Sequence, residues 1–170
     1  MSDDEATIAT PSQTVGPFFH FALTVNPIGR IAERFQGGQP IRLIVRVVDG
    51  DGQPVNDAMV ELWQGGVFGR IPTGEDGACE FETVRPGTAA GPGRQAPHIN
   101  VQIFARGLLR QLQTRIYFRG DAALDDDPTL RLIPEARRAT LLARPNPAAP
   151  GEWAFDVRLQ GAGETVFFNA

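Results

Sequence analysis

The chain has 170 residues, of which 42% are hydrophobic and 8% aromatic, values typical of a single globular domain with a real core. A net charge of -4 without a basic block argues against nucleic-acid binding, and no hydrophobic run is long enough to span a bilayer. All sixteen basic residues are arginine, which excludes a Walker-type phosphate loop and Schiff-base chemistry on lysine. The one cysteine, Cys79, excludes an internal disulfide and favours a cytoplasmic protein.

The N-terminal segment is polar at first and then aromatic. Residues 1–13 are acidic and lack a secretory signal, so we expect a flexible acidic arm ahead of a single domain over 14–170. Phe18, Phe19 and Phe21 follow closely. They must be buried either against a partner, which makes 14–38 a docking arm, or in the chain's own core.

Seven runs of alternating hydrophobic and polar residues predict strands. They are Ile41–Val48, Ala58–Trp63, Cys79–Val84, His98–Phe104, Leu112–Phe118, Trp153–Gln160 and Thr165–Phe168. Turn sequences rich in Asp and Gly separate several of them, and Asp127-Pro128 predicts the start of a short helix with the aspartate as its cap. We therefore expect an all-β fold, an antiparallel β-sandwich with an extended N-terminal arm and short helical turns.

The strand at residues 98–104 raises the question of a metal site. His98 and Asn100 lie two residues apart, so their side chains point to the same face of the strand. A pair of histidines at that spacing could hold one metal ion, but only one of the two is a histidine. His20, in an aromatic segment, and the single tyrosine, Tyr117, are the other candidate donors besides carboxylates and Cys79. The residues alone do not give a self-sufficient catalytic set.

Five motifs occur in chain order and together carry a resemblance over nearly the whole chain. They are TPSQTVGPFF at 10–19, DGQP at 51–54 leading to AMVELWQ at 58–64, TVRPG at 83–87, APHIN at 96–100 and QGAGETVFF at 160–168. The set resembles the intradiol ring-cleaving dioxygenases, in particular the alpha chains of members built from alpha and beta chains. The resemblance implies a β-sandwich and O2-dependent cleavage of protocatechuate to 3-carboxy-cis,cis-muconate, a step of aromatic catabolism in the beta-ketoadipate pathway.

The same resemblance implies where the iron lies. In that family the beta chains hold Fe(III) with two tyrosines and two histidines, and a hard ferric cation suits anionic oxygen ligands. The first tyrosine belongs to a longer loop than this chain has, since residues 65–71 offer none. The second belongs just after a Pro-Gly pair, where this chain has Thr88 and Ala89.

The histidine pair is also incomplete. The family pattern His-Ile-His reads His98-Ile99-Asn100 here, and Gln95 replaces the arginine before it. The resemblance thus implies that this chain binds no metal and has no catalytic residue. His98 would be a relic ligand position with Asn100 replacing the second histidine, and the Fe(III) would be held by the partner beta chain.

A chain without iron can still contribute to its partner's site. The resemblance implies that Thr14, Gly16 and Pro17 line the rim of the beta-chain pocket and that Arg115 faces it, in an assembly of many alpha–beta pairs. Gly16-Pro17 suits a close, rigid backbone approach, and the Arg115 guanidinium suits a substrate carboxylate. The alternatives are an arm that only docks and an Arg115 that is structural or solvated.

Two functions of other kinds stay open at this stage. One is a stand-alone β-sandwich that binds or carries a ligand without catalysis. The other is an enzyme that builds its own metal site from His20, His98 and carboxylates.

Overall fold

The computed structural model describes residues 10–87 and 94–169 of the chain. Eight strands dominate them: β1 Pro40–Val48, β2 Met59–Gln64, β3 Val67–Pro72, β4 Ala78–Val84, β5 His98–Phe104, β6 Leu112–Phe118, β7 Leu142–Pro145 and β8 Glu152–Arg158. The α-helices are short: α1 Phe19–Leu23, α2 Pro128–Arg131 and α3 Glu135–Arg138. Single 3-10 turns occur at Ala32–Arg34, Leu124–Asp126 and Ala139–Leu141. The all-β class and the short helical turns predicted from the sequence are confirmed.

The strands form one mixed sheet in the order β3-β2-β5-β6-β7-β8-β1-β4. The sheet curls so far that its two edge strands, β3 and β4, contact each other, and it nearly closes into a barrel. Two of its pairings, β1 with β8 and β6 with β7, are parallel. The expectation of an antiparallel β-sandwich is therefore not confirmed, because the sheet is mixed and nearly closed. Alternation within a strand reports which face is buried, and it does not report the direction of the neighbouring strand.

The curled sheet encloses the main core. Inward side chains of β1, β2, β4, β5, β6 and β8 are fully buried there, among them Leu43, Leu62, Phe81, Ile99 and Phe155. Cys79 belongs to the same cluster, and burial raises the pKa of its thiol to about 12. A thiol with so high a pKa is an unreactive core residue.

A second, smaller core lies on the outer face of β6. It contains Ala96, Tyr117, Leu130, Ile133 and Leu141. The short helices α2 and α3 cover this part of the sheet, and α2 starts at Asp127-Pro128 as the sequence predicts. This is the region in which the candidate site lies.

Three differences from the sequence prediction concern the strands. β3 and β7 are additional, and residues 165–168 form only an isolated bridge between Phe168 and Gln113 instead of a strand. The arm expected to be extended carries the one-turn helix α1. No helix within 10–87 or 94–169 has the length and apolar character needed to cross a membrane.

Candidate functional site

The two residues that posed the metal question lie on the outer face of the sheet formed by β2, β5 and β6. The strand register places Trp63, Asn100 and Arg115 side by side across these three strands. His98 lies two residues before Asn100 and pairs with Tyr117. The alternate residues of the same strands fill the main core, so this polar and aromatic row faces away from it.

His98 is held by its own backbone. Its Nδ1 lies 2.8 Å from the carbonyl oxygen of Ala96, and because a carbonyl can only accept, Nδ1 carries the proton. The ring packs against Tyr117 with 5.4 Å between the centroids. Burial lowers the pKa of His98, and the nearby Arg115 guanidinium lowers it further while the Ala96 hydrogen bond opposes the shift. His98 is therefore a neutral, half-buried imidazole with a fixed tautomer.

Tyr117 is fully buried and donates its hydroxyl to Asp127 Oδ1 at 3.3 Å. Burial raises the pKa of the phenol, so the group stays protonated at neutral pH. Asp127 is itself fully buried. Its carboxylate also accepts from the backbone N–H groups of Ala96, Thr129 and Leu130 at 2.8–2.9 Å. This carboxylate joins the segment before His98 to the start of α2.

Arg115 contacts the same group of hydrogen-bonded residues around Asp127, which we call the hub. Its Nη1 donates to Thr129 Oγ1 at 3.1 Å and lies 3.4 Å from the Tyr117 hydroxyl. The guanidinium also lies 5.7 Å from the centroid of the Phe168 ring. The sequence did not predict that Asp127, Thr129 and Phe168 surround Arg115 and Tyr117 in this way. The Asp127-Pro128 pair signalled only a helix start, since a cap sequence does not tell which strand the cap will meet.

On the other side of Asn100 the face becomes aromatic. Trp63 is 43% exposed and packs on Phe68 of β3 with 4.6 Å between the ring centroids. The buried carboxylate of Glu61 accepts from Arg70 Nη2 at 2.6 Å, and Trp63 Nε1 lies 3.4 Å from it. The Arg70 guanidinium lies 5.0 Å from the centroid of the Phe68 ring. Every charged group in this cluster has a partner, so the cluster stabilises the sheet and offers no free ligand.

The donors on this face do not fit a ferric ion. Asn100 is a neutral amide that gives the ion no charge compensation, and the Tyr117 hydroxyl is protonated and committed to Asp127. β2 and β3 are joined by Gly65-Gly66, both with positive φ, in a two-residue turn with no room for a ligand-bearing loop. Gln95 is half-buried, whereas Thr88 and Ala89 lie outside the described residues.

Across residues 10–87 and 94–169 no group of three or more His, Cys, Asp or Glu side chains is placed to hold a metal ion. His20 lies on α1, with Nδ1 3.5 Å from Thr24 Oγ1, whereas His98 lies on β5. The alternative in which His20, His98 and carboxylates form a metal site therefore has no support in the described part of the chain.

Of the predicted rim residues of the arm, Thr14 contacts the loop between β5 and β6. Thr14 Oγ1 accepts from the Gly107 N–H at 2.7 Å. Gly16 and Pro17 are exposed, and a side chain at Gly16 would meet open space. Arg115 lies in the middle of β6, with its recorded partners at Tyr117 and Thr129. Within this chain, then, the described contacts join the arm to the loop and do not join it to Arg115.

The aromatic residues of the arm divide into two groups. Phe18 and Phe21 are 77% and 75% exposed, and their ring centroids lie 6.2 Å apart. Phe19 is half-buried and packs against the His20 ring at 3.9 Å. Phe18 and Phe21 are thus not buried in the chain's own core.

Comparison with known proteins shows which curated sequences this chain is similar to. The chain is 41% identical to the protocatechuate 3,4-dioxygenase alpha chain of Burkholderia cepacia, over 94% of this chain and 96% of that one. It is 37% identical to the alpha chain of Pseudomonas putida over the same shares. The beta chain of the Burkholderia cepacia enzyme is 29% identical, over 91% of this chain and 77% of that one.

Among solved structures, the dioxygenase domain of a dioxygenase–carbohydrate-binding protein fusion from Streptomyces sp. SirexAA-E aligns with a TM-score of 0.64. It is 24% identical and the alignment covers 92% of this chain and 95% of that one. No family model matches the chain. The similarity to alpha chains is stronger and more complete than the similarity to the beta chain.

Proposed function

The chain belongs to the family of protocatechuate 3,4-dioxygenase alpha chains, an intradiol dioxygenase family, and from this membership we propose that it is the iron-free subunit of such an enzyme. Its partner would be a beta chain that holds Fe(III) and cleaves protocatechuate with O2 to 3-carboxy-cis,cis-muconate. A stand-alone carrier is not favoured, because both alpha-chain relatives match along nearly their whole length.

The observation that carries this proposal is the polar row on β2, β5 and β6. Where a ligand pair would be needed the chain has a carbonyl-bonded His98 and a neutral Asn100, with the Arg115 guanidinium as the cross-strand neighbour of Asn100. A permanent positive charge beside the amide opposes the binding of a trivalent cation there. The fold is retained and the donor set is not, which suits a chain that supports a catalytic partner.

What the chain supplies in this proposal is shape and charge at the rim of the partner's pocket. Thr14 is fixed by the Gly107 N–H, and Gly16-Pro17 leaves open space for the partner's backbone or the substrate. Arg115 is held in one orientation by Thr129 and would direct its remaining N–H groups to the carboxylate of protocatechuate. The proposed role is to bind and orient the substrate.

The experiment that tests the proposal is expression of the chain alone, of a beta chain alone, and of the two together. Co-purification of the pair, iron in proportion to the beta chain, and ring cleavage of protocatechuate by the pair are the expected results. The isolated alpha chain should contain no stoichiometric iron and lack the absorption band of a tyrosinate–iron complex. Iron and activity in the isolated chain would refute the subunit assignment.

A variant at Asn100 tests whether a complete histidine pair would be enough to bind iron. Asn100→His restores the second imidazole of the pair but leaves the short Gly65-Gly66 turn and the neutral Tyr117. We expect this variant still to bind no ferric ion, since two imidazoles alone do not compensate the charge of Fe(III). Stable iron binding by the variant would show that a single substitution, and not the whole donor set, distinguishes this chain from a catalytic one.

A further inference from the structure

A second candidate site lies on the other half of the sheet, which starts at β7, the neighbour of β6. A cavity of about 330 Å³ opens on the outer face of β1, β7 and β8, near the C-terminal ends of β1 and β8. The segment with Thr140 and the turns with Gly52 and Gly163 close its sides. Its volume lies at the lower end of the range of small-ligand pockets, about 300–1,000 Å³.

Three arginines line this cavity: Arg46 from β1, Arg144 from β7 and Arg158 from β8. Among the described residues, Asp156 is the one carboxylate in the lining. Three guanidinium groups against one carboxylate give the lining a net charge of +2, in a chain whose net charge is -4. The described lining is therefore positive, whereas the chain as a whole is negative.

The three arginines differ in what holds them. Arg144 forms an ion pair with Asp156 through Nη2. Arg46 lies 4.0 Å from Asp76, both exposed, and such a pair contributes little. Arg158 Nη1 lies 3.1 Å from the Gly50 carbonyl and 3.4 Å from that of Asp49. These carbonyls orient the guanidinium without neutralising it, and among the described residues Arg158 has no carboxylate partner.

Arg42 on the same strand and the same face as Arg46 shows the contrast. Its guanidinium donates to both oxygens of Glu80 at 2.7–2.8 Å and to Glu152 at 2.9 Å. A structural surface arginine in this sheet is thus fully matched by carboxylates. Of the three arginines around the cavity, Arg144 has one carboxylate partner, Arg46 has only a 4.0 Å contact with Asp76, and Arg158 has none among the described residues. N–H groups of these arginines therefore remain for another acceptor.

We propose that the cavity lined by Arg46, Arg144 and Arg158 binds a small multivalent oxyanion, a phosphate group or a polycarboxylate. Guanidinium groups bind both through the same bidentate, charge-assisted hydrogen bonds. Arg158 is the fixed donor, Arg144 shares its charge between Asp156 and the ligand, and Arg46 closes the third side. All of the described lining residues belong to this chain, so the proposal can be tested on the chain alone.

The test is isothermal titration calorimetry of the full chain with inorganic phosphate, with citrate as a tricarboxylate, and with acetate as a monovalent control. Binding of one phosphate or one citrate per chain, and no binding of acetate, is expected. Arg158→Gln and Arg144→Gln should each weaken binding about tenfold or more, since each removes a charge-assisted hydrogen bond. The preference between phosphate and citrate identifies which of the two ligand chemistries the cavity takes.

Arg42→Gln is the matched control, because it removes the same charge from the same strand face outside the cavity. Its affinity should equal that of the unmodified chain, with folding verified for each variant by circular dichroism. An equal loss in Arg42→Gln would show nonspecific attraction to surface charge and would overturn the proposal. The absence of saturable binding of either multivalent anion by a folded chain would overturn it as well.

Discussion

Arg115 is the residue whose position has the most consequences for the candidate site. It is the cross-strand neighbour of Asn100, it donates to Thr129, and it lowers the pKa of His98 by its charge. A guanidinium cannot lose its proton under physiological conditions. Burial is the main cause of the lowered pKa of His98, and the charge of Arg115 adds to it. The same guanidinium has N–H groups left for a carboxylate.

The first prediction concerns Arg115→Ala in the assembled enzyme. Loss of a charge-assisted hydrogen bond worth roughly 1.5–3 kcal/mol should lower kcat/KM for protocatechuate about 10- to 100-fold. The loss should be much smaller for catechol, which lacks the carboxylate. Iron content and assembly should not change. Arg119→Ala, which removes an exposed arginine just after the same strand, is the matched control and should be neutral. An equal loss for both substrates would show a structural role.

The second prediction concerns the pH dependence of stability. Burial lowers the pKa of His98 in the folded chain below its usual 6.5, so the unfolded chain binds the proton more readily. The free energy of unfolding is then highest above about pH 6.5 and falls as the pH drops through and below that value. Urea unfolding at about pH 7.5 and pH 5.5 measures this effect. His98→Gln should reduce the difference between the two pH values, and an unchanged difference would assign the pH dependence to other groups.

At the scale of elements, the one-turn helix α2 depends on a single carboxylate. Asp127 caps α2 through the N–H groups of Thr129 and Leu130 and also holds Ala96 and Tyr117. A helix of four residues has little stability of its own. The cap therefore positions Thr129, and through it Arg115, relative to the strand that carries His98.

The third prediction is that Asp127→Ala lowers the free energy of unfolding by about 1.5–5 kcal/mol. A lost cap costs about 0.5–2 kcal/mol, and the buried N–H and hydroxyl groups left without an acceptor add about 1–3 kcal/mol. Asp126→Ala is the matched control, because the neighbouring Asp126 is exposed and, among the described residues, its side chain pairs with the exposed Arg131. Chemical denaturation should show that Asp126→Ala changes the free energy of unfolding by no more than about 0.5 kcal/mol. Equal effects for both variants would contradict the role given to Asp127.

The elements also show what the sequence can and cannot predict. β1, β4, β5, β6 and most of β8 follow from alternation, because each has one face in the main core. β3 was missed because Gly69 and a terminal Pro72 interrupt its pattern. A Cβ at Gly69 would lie 2.9 Å from the Ile28 carbonyl oxygen. The glycine therefore allows a close approach of a distant segment of the chain, which the local sequence does not predict.

The sequence-based predictions for β7 and for the C-terminal segment were wrong for a related reason. β7 has only four residues, and its parallel pairing with β6 involves just Tyr117 and Phe118. Residues 165–168 alternate like a strand, yet they pack against both cores and form only an isolated bridge with Gln113. In the site, the sequence indicated His98, Asn100 and Arg115, whereas the hub at Asp127 depends on tertiary packing. Whether Thr14, Gly16, Pro17 and Arg115 line a partner's pocket stays a prediction.

At the scale of the molecule, the described surface is uneven in polarity. The sheet faces carry ion pairs such as those of Arg42 with Glu80 and Arg70 with Glu61, whereas the arm leaves Phe18 and Phe21 largely exposed and close together. Exposed aromatic pairs of this kind are costly in water and are enriched at protein interfaces. The arm is therefore the part of the described surface where we expect the beta chain to dock.

The last prediction tests that docking. Phe18→Ser with Phe21→Ser should weaken association with the beta chain about 10²- to 10⁴-fold, because burying each ring contributes about 1.5–3 kcal/mol. The variant should fold as the unmodified chain does, since neither ring belongs to a described core cluster. Leu132→Ser is the matched control, because Leu132 is 86% exposed but caps the C-terminal end of α2 and does not belong to the arm. Analytical ultracentrifugation of each mixture measures association. An undiminished affinity in the arm variant, or an equal loss in Leu132→Ser, would show that the arm does not direct assembly.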